Sequence, residues 1–430
     1  MKRIVLVLVI AAVCTTINAA RHNYVITHYG VKNDSTVVQT KAIQAVIDKA
    51  EENGGGCVVV PRGTFLSGAL FFKPGTRLHL DEGAVLKGSD TIADFPLLPS
   101  RMEGRNIYYH AALVNAYHVN GFSITGPGTI NGNGHRYWAD FWRRRDLAKK
   151  EGSKREFTNL EVSRPRLVFI WGCDSVRLDG PTFCNSPFWT CHFYQCRNLD
   201  IRNCSMTTPA RPLRAPSSDC IDLDVCSNVK IKNCFFNTDD DGVCLKGGKG
   251  VYAHETTGNG SVDSVYVTNC VFGPNLHGTV TLGSECLRGT HVRIDSCRVD
   301  NTCAILRLKM RPDTDQFYSD IRVSNITGRC GEIIAMRPWT QFFTLEGSGR
   351  KPKGRVSDIV FENIDVDCAR AVGHMHGNPS DYVNGIVFRN VKARAKKPFH
   401  CVYPDVSMHD VQIELQAGES APNPDEQFEK

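Results

Sequence analysis

The sequence has no apolar run long enough to cross a membrane. The apolar stretch near its start, Ile4 to Val13, is far shorter than the roughly 20 residues that a spanning helix needs. No later segment combines the necessary length with the necessary hydrophobicity. We therefore expect no transmembrane segment.

The chain also lacks a strong excess of charge of either sign. The chain has 51 Lys and Arg residues against 45 Asp and Glu residues, a formal net charge of +6. Such a mild positive charge suits an anionic partner, but it is not dense enough to indicate nucleic-acid binding. Glycine, by contrast, is plentiful at 37 residues, which is typical of a fold with many turns.

The first twenty residues have the pattern of a secretory signal peptide. Lys2 and Arg3 form a basic start, an apolar core follows, and Ala19 and Ala20 supply small residues for cleavage. We therefore expect an exported protein, either periplasmic or secreted.

The expected organisation is a signal peptide at 1–20, one domain at 21–415 and a polar tail at 416–430. Cys14 raises the alternative of a lipoprotein anchor. We do not favour that anchor, because Val13 stands where a small residue is required.

A short strand pattern recurs along the second half of the chain. The copies LDIRNC, VKIKNC, VYVTNC, VRIDSC, IRVSNI, IVFENI and IVFRNV begin at residues 199, 229, 265, 292, 321, 359 and 386. Strands that recur every 20 to 40 residues with unequal insertions indicate a solenoid. Because the repeats carry strands and turns without helical periodicity, the sequence predicts an all-β fold, a right-handed parallel β-helix.

Four of these repeats end in cysteine, at Cys204, Cys234, Cys270 and Cys297. We expect these residues to occupy one stacked interior position as small buried side chains. Disulfide bridges between neighbouring turns remain an alternative, although a chain of this length does not need them.

A solenoid needs a cap over its first open end, and a short helix is expected there. Val38, Ala42, Val46 and Ala50 recur every four residues, and Ser35 could cap the start of the helix.

Residues 135–155 depart from the repeat pattern. The segment is rich in basic residues and includes three consecutive arginines at 143–145. We interpret it as a helical insertion beside the groove, with a solvated surface loop as the alternative.

Three adjacent carboxylates, Asp239, Asp240 and Asp241, lie within the stretch NTDDDGVCLKGG. Like charges repel, and partial desolvation would raise the pKa of at least one carboxyl, as a proton donor near neutral pH requires. A cation site and a solvated turn are the alternatives. Because alternation along a strand would send Asp240 and Asp241 to opposite faces, we expect a bend at Gly242.

Four short motifs follow one another along the chain: SSD at 217–219, DDD at 239–241, LHG at 276–278 and RLK at 307–309. They resemble the Asn-Thr-Asp, Gly-Asp-Asp, Gly-His-Gly and Arg-Ile-Lys motifs of glycoside hydrolase family 28, the pectin-cleaving family that contains polygalacturonases. The likeness extends over nearly the whole mature chain. The departures are serines in place of Asn and Thr, an aspartate in place of the Gly before the acidic pair, and a leucine in place of the first Gly.

The resemblance implies hydrolysis of α-galacturonosidic bonds in pectin with inversion. Asp240 would then be the general acid, Asp219 and Asp241 would hold the water, and His277 would tune protonation. The 21-residue gap from Asp219 to Asp240 fits one short coil, which would place both on one face. No metal and no cofactor are expected.

Arg307 and Lys309 are two residues apart on a predicted strand, so both side chains should leave the same face. They could bind the carboxylate of an acidic sugar, or they could merely neutralise the aspartates. Lys246 is a further candidate for the cleft. The expected partner is an acidic plant polysaccharide or oligosaccharide.

Two other functions are compatible with the fold: a pectate lyase that works by β-elimination, and a β-helical protein that binds polysaccharide without cleaving it. Among hydrolases, homogalacturonan and rhamnogalacturonan both remain possible substrates. The insertion at 135–155 favours exo action, because it could block one end of the groove.

Overall fold

The computed structural model describes residues 22–152, 157–301, 303–345 and 347–421. The expected signal peptide at 1–20 lies outside this range, as do residues 422–430 of the expected tail.

Within these residues, two long parallel sheets are built from strands that alternate along the chain. The smaller sheet, which carries the candidate site, has eleven strands: β1 (Leu70–Phe72), β2 (Val114–Tyr117), β3 (Val168–Trp171), β4 (Cys191–Tyr194), β5 (Ile221–Asp224), β6 (Asp241–Lys246), β7 (Gly278–Leu282), β8 (Ala304–Met310), β9 (Glu332–Pro338), β10 (Gly373–Met375) and β11 (His400–Cys401).

The larger sheet has 21 strands in the described ranges. They are Asn23–Val25, Gly56–Val60, Gly63–Ser67, Thr76–Leu80, Ala84–Gly88, Ser123–Thr125, Thr129–Asn131, Asp174–Asp179, Thr182–Cys184, Arg197–Arg202, Ser205–Thr207, Ser227–Lys232, Phe235–Asn237, Ser261–Thr268, Val271–Phe272, Arg288–Asp295, Arg298–Asp300, Gln316–Cys330, Gly354–Ala371, Tyr382–Lys397 and Val406–Leu415. An antiparallel pair, Leu97–Met102 and Arg105–His110, stands apart from both sheets.

The described helices are few. The α-helices are α1 (Thr40–Glu52) and α2 (His135–Lys150). Short 3-10 turns occur at Ile26–Tyr29, Ile92–Asp94, Asn159–Glu161 and Ala253–Glu255. None of the helices in the described ranges is long and apolar enough to span a bilayer.

The predicted repeats stack in register. Leu199 pairs with Val229, Val229 with Val265, and Val265 with Val292, and the alignment continues through the later copies. The fold is therefore the expected right-handed parallel β-helix.

The polar residue near the end of each repeat turns the chain between strands. Asn203, Asn233 and Asn269 have φ angles of 55°, 56° and 51°, in the left-handed region that asparagine tolerates better than most residues. Their side-chain amides also bond from coil to coil, with Asn233 donating to Asn203 at 3.2 Å and Asn269 donating to Asn233 at 2.7 Å. Asparagine thus sets the corner and ties the coils together.

One hydrophobic core extends from Tyr24 to Ala395. The four repeat cysteines are buried in it, as expected from their position. The cysteines within the described residues are all free thiols, so no disulfide bridge joins the coils there.

The capping helix is present, but its buried face differs from the expected one. Val38 and Ala42 are exposed, and Ser35 lies outside the helix, which begins after Gln39. A strict four-residue repeat drifts around a helix of 3.6 residues per turn, so a core-facing stripe follows i, i+3, i+4 and i+7 spacing. The residues that do face the core have this spacing: Ile43, Val46, Ile47 and Ala50.

The insertion is helical, as predicted. Tyr137, Trp138 and Phe141 bury one face of α2 against the body of the β-helix. Its arginines are at least partly exposed to solvent.

Candidate active site

Four consecutive strands of the smaller sheet, β5 to β8, position the residues that the motifs singled out. Asp219 lies just before β5, Asp241 begins β6, and His277 lies just before β7. Arg307 and Lys309 lie within β8. Because the strands are parallel and adjacent, the acidic residues and His277 lie at the start of successive strands, whereas Arg307 is in register with Thr281 and Cys244 further along.

The backbone register brings the three acidic positions together. The N–H of Cys220 donates to the carbonyl oxygen of Asp241 at 2.9 Å, which sets Asp219 beside the triplet. The N–H of His277 donates to the carbonyl oxygen of Asp240 at 3.0 Å, which sets the histidine level with it on the other side.

The expected bend at Gly242 stays a prediction. Gly242 has no left-handed φ, but the pairing of β6 with β7 passes from Asp241–Gly278 to Val243–Val280, so the ladder is interrupted at Gly242. Asp240 is not subject to the strand alternation, because it lies before the strand begins. Glycine at 242 also permits a close approach between coils, since a Cβ there would lie 2.7 Å from the carbonyl oxygen of Thr279.

Asp241 is ionised. Its side chain is almost completely buried, Arg307 donates to it at 2.9 Å, and Lys309 donates to it at 2.8 Å. Burial alone would raise the pKa of this carboxyl, but the charges of Lys309 and Arg307 outweigh it and hold the pKa far below its usual range.

Asp240 has the opposite tendency. Burial, followed by the negative charge of Asp241, raises its pKa to about 7, while Lys309 and Arg307 act against the rise. Its side chain remains 28% exposed, so the carboxyl can reach a molecule in the cleft. Asp240 can therefore hold a proton near neutral pH and donate it.

Asp219 is more deeply placed. Burial, followed by the charge of Asp240, raises its pKa to about 7, and Lys246 opposes the rise from 3.5 Å away. Asp222 lies behind it, fully buried, and neither of its carboxylate oxygens has a hydrogen-bond partner among the described residues. Burial and the neighbouring Asp219 raise the pKa of Asp222 well above its usual range.

Lys246 supplies the positive charge beneath the site and does not face the cleft as the sequence suggested. Its ammonium group is buried 3.3 Å from Asp222, 3.5 Å from Asp219 and 3.6 Å from Glu285. Asp219, Asp222 and Cys244 offer ligand atoms within 4.8 Å of one another, the spacing that a metal ion would need. Because the Lys246 ammonium already lies against both carboxylates, this group fits an internal ion pair better than a resident cation.

His277 is held in one tautomer by a residue outside the motifs. Nη2 of Arg214 lies 3.0 Å from Nε2 of the His277 ring. An arginine can only donate, so Nε2 accepts and the proton is on Nδ1, which lies 3.9 Å from a carboxylate oxygen of Asp240. Burial lowers the pKa of His277, which favours this neutral form.

Asp239, the residue that replaces a glycine in the motif, anchors Arg214. Nε of Arg214 lies 3.0 Å from both carboxylate oxygens of Asp239. Burial raises the pKa of Asp239, while His277 and Arg214 act to lower it. No motif could have identified Arg214, because it lies in a loop between coils.

Asp239 and Asp240 line one cleft of about 450 Å³ together with Arg214, His277, Arg307 and Lys309. Asp219 and Asp241 lie buried behind this wall and do not line the cleft themselves. Trp142 and Arg145 of α2 and Trp339 also line it, so the insertion forms part of its wall. The charged groups of Arg307 and Lys309 lie 5.2 Å and 4.7 Å from the Trp339 ring centre. The cleft thus combines a proton-donating carboxyl with cationic and aromatic walls, as recognition of an acidic sugar requires.

Comparison with known sequences gives a consistent result. The sequence model described as "Glycosyl hydrolases family 28" matches residues 57–409. A probable polygalacturonase from Vitis vinifera is 26% identical over 414 residues, covering 90% of this chain and 78% of that protein. An exo-poly-alpha-D-galacturonosidase from Dickeya chrysanthemi is 28% identical over 313 residues, covering 64% of this chain and 49% of that protein.

Solved structures share the fold. A hyperthermoactive exopolygalacturonase from Thermotoga maritima matches with a TM-score of 0.67 and 20% identity, over 90% of this chain and 92% of that one. A family 28 exopolygalacturonase from Yersinia enterocolitica matches with a TM-score of 0.66 and 19% identity, over 93% of this chain and 79% of that one.

Proposed function

Because the chain belongs to glycosyl hydrolase family 28, we propose that it hydrolyses α-galacturonosidic bonds of pectin, as a polygalacturonase. The observation that carries this proposal is Asp240, a partly exposed carboxyl whose pKa is raised to about 7 beside an ionised Asp241. The names of the relatives from grapevine and Dickeya support the same substrate.

In the proposed mechanism Asp240 protonates the oxygen of the leaving sugar. Asp219 and Asp241 hold a water molecule on the opposite face of the sugar ring. As the bond to the leaving sugar breaks, the water attacks the anomeric carbon and gives a proton to one of these two carboxylates, which inverts the anomeric configuration. Asp241 also keeps the proton on Asp240 before the reaction, because a second negative charge beside it is unfavourable.

Arg307 and Lys309 are proposed to bind the carboxylate of the galacturonate at the point of cleavage. Both line the cleft, and both lie on the same face of β8, as their spacing predicted. Their contact with Asp241 couples substrate binding to the acid pair, so the two interpretations of these cations are compatible.

Exo action is the favoured mode. Helix α2 contributes Phe141, Trp142 and Arg145 to the cleft wall, and an inserted wall restricts how far a polymer can extend through a groove. The exo-acting relatives from Dickeya, Thermotoga and Yersinia agree with this choice.

We further propose that the protein is exported and that residues 21–415 form one catalytic domain. The signal-peptide pattern of the first twenty residues supports export, and the continuous hydrophobic core from Tyr24 to Ala395 supports one domain.

The test is incubation of the mature protein with polygalacturonate and with rhamnogalacturonan fragments, with and without EDTA. Chromatography resolves the products while ultraviolet absorbance is followed. Saturated galacturonic acid released despite EDTA supports a hydrolase, and release of monomer alone supports exo action. Unsaturated products that depend on a cation would instead indicate a lyase.

A further inference from the structure

The cleft contains a second cationic group that no family motif supplies. Arg214 lies in the loop that follows the strand Ser205–Thr207, and 51% of its side chain is exposed. It lines the same cleft as Asp240, Arg307 and Lys309.

Arg214 is held rigidly although it is half exposed. Its Nε and Nη2 atoms are engaged by Asp239 and His277, as described above. Trp142 of α2 donates from Nε1 to the carbonyl oxygen of Arg214 at 2.9 Å, and the guanidinium lies 5.7 Å from the centre of the same ring. Such fixing lowers the entropy that the side chain would lose when it binds a ligand.

One edge of the Arg214 guanidinium remains available for a ligand. Within the described residues, Nη1 makes no hydrogen bond to protein. The negative charge that balances Arg214, on Asp239, is buried beneath it. An anion in the cleft can therefore meet an oriented donor without displacing the buried carboxylate.

Arg214 and Arg307 lie on two sides of His277. Arg214 contacts the ring at Nε2, whereas Nη1 of Arg307 donates to the backbone carbonyl oxygen of His277 at 3.3 Å. Besides Arg145 of α2, the cleft therefore has two separate cationic positions, one tied to Asp241 and the other tied to Asp239.

We propose that Arg214, anchored by Asp239, binds the carboxylate of a second sugar, so that the cleft selects two acidic sugars in succession. The proposal rests on the polygalacturonase function proposed above and adds a specificity residue to it. It also gives the aspartate at 239 a role, since a glycine there could not hold the arginine.

The test compares the wild-type protein with Arg214→Gln, Asp239→Gly and the double variant on trigalacturonate. We expect either single change to raise KM about tenfold or more, as is usual when a charge-assisted hydrogen bond is lost. The double variant should be no worse than either single variant, because both changes remove one unit. Arg143→Gln is the matched control, since Arg143 lies on α2 outside the cleft and pairs with Asp140.

A second substrate separates recognition from a structural role. In rhamnogalacturonan fragments every second sugar is neutral, so Arg214→Gln should raise KM much less there. An equal loss on both substrates, or a fall in kcat with an unchanged KM, would overturn the proposal. If the wild type does not cleave trigalacturonate, the proposed function fails, and calorimetric titration of trigalacturonate then tests the Arg214 site separately. Weaker binding by Arg214→Gln than by the wild type supports the second carboxylate site. Unchanged binding by the variant, or no binding by the wild type, overturns that site.

Discussion

Replacing Asp241 with asparagine should move the pH profile of the enzyme, because Asp241 helps to keep the proton on Asp240. A carboxyl with a pKa of about 7 is about half protonated at pH 7, whereas one with the ordinary pKa of about 3.9 is protonated in only about one molecule in a thousand. Burial is the first cause of the raised value and the charge of Asp241 is the second. In Asp241→Asn that charge is absent, and Arg307 and Lys309 lose the carboxylate that balances them, so the pKa of Asp240 should fall.

The measurement is kcat on trigalacturonate between pH 4 and pH 9, followed by reducing-sugar release. Activity requires a protonated Asp240, so the wild-type rate should fall as the pH rises through about 7. In Asp241→Asn this alkaline limb should move to lower pH, with up to about a tenfold loss at pH 7 for each unit of fall in the pKa. The position of the limb is the readout, because loss of the water-holding carboxylate lowers its height as well.

The control for this experiment is Asp313→Asn. Asp313 is also buried and paired with an arginine, Arg311 at 2.7 Å, but it does not line the cleft. Both variants should lower the free energy of unfolding by about 3–5 kcal/mol, since each removes the carboxylate of a buried ion pair. A limb that stays in place in folded Asp241→Asn, or that moves equally in Asp313→Asn, would refute the reasoning.

Three further outcomes are expected. Asp240→Asn should lower kcat by about 10²–10⁴-fold with little change in the urea midpoint, whereas Asp239→Asn should retain much more of the rate; the reverse order would mean that the acid has been assigned to the wrong aspartate. Lys246→Met should lower the free energy of unfolding in urea by about 3–5 kcal/mol, because three buried carboxylates lose their shared cation, and an unchanged midpoint would contradict that contact. The pKa of Asp241 is lower in the folded state than in the unfolded chain, so its ion pairs stabilise the fold above about pH 4. As the pH drops further, the stability of the wild type should therefore fall more steeply than that of Asp241→Asn. Thermal melts at several pH values measure this difference.

The repeating part of the molecule could be predicted from the sequence because it is governed by local periodicity. Alternating strands that end in asparagine and a small residue specify both the coil and its corner, and the in-register pairing of Leu199 with Val229 follows from them. The capping helix was predicted as an element, but its buried face was not, because four-residue spacing only approximates the period of a helix.

The candidate site could be predicted from the sequence only in part. The acidic motif residues and His277 fall at equivalent positions of successive coils, so their proximity follows from the fold once the register is known. Arg214 and Trp142 lie in segments outside the strand repeat, and their contacts depend on how each connection between coils crosses the surface. The burial of Lys246 was equally hidden, since a lysine near a glycine pair gives no sign of the three carboxylates around it.

The stacking of coils separates the parts of the site from one another. The acid, the histidine and the cationic pair each belong to a different coil. Hydrogen bonds between the strands of successive coils hold the stack, so a change of length in one connecting loop leaves the neighbouring strands in place. The inserted helix α2 and the loop that carries Arg214 are two such connections, and both reach the cleft. New substrate preferences can therefore be introduced one loop at a time, while the proton-transfer groups keep the spacing that the backbone imposes.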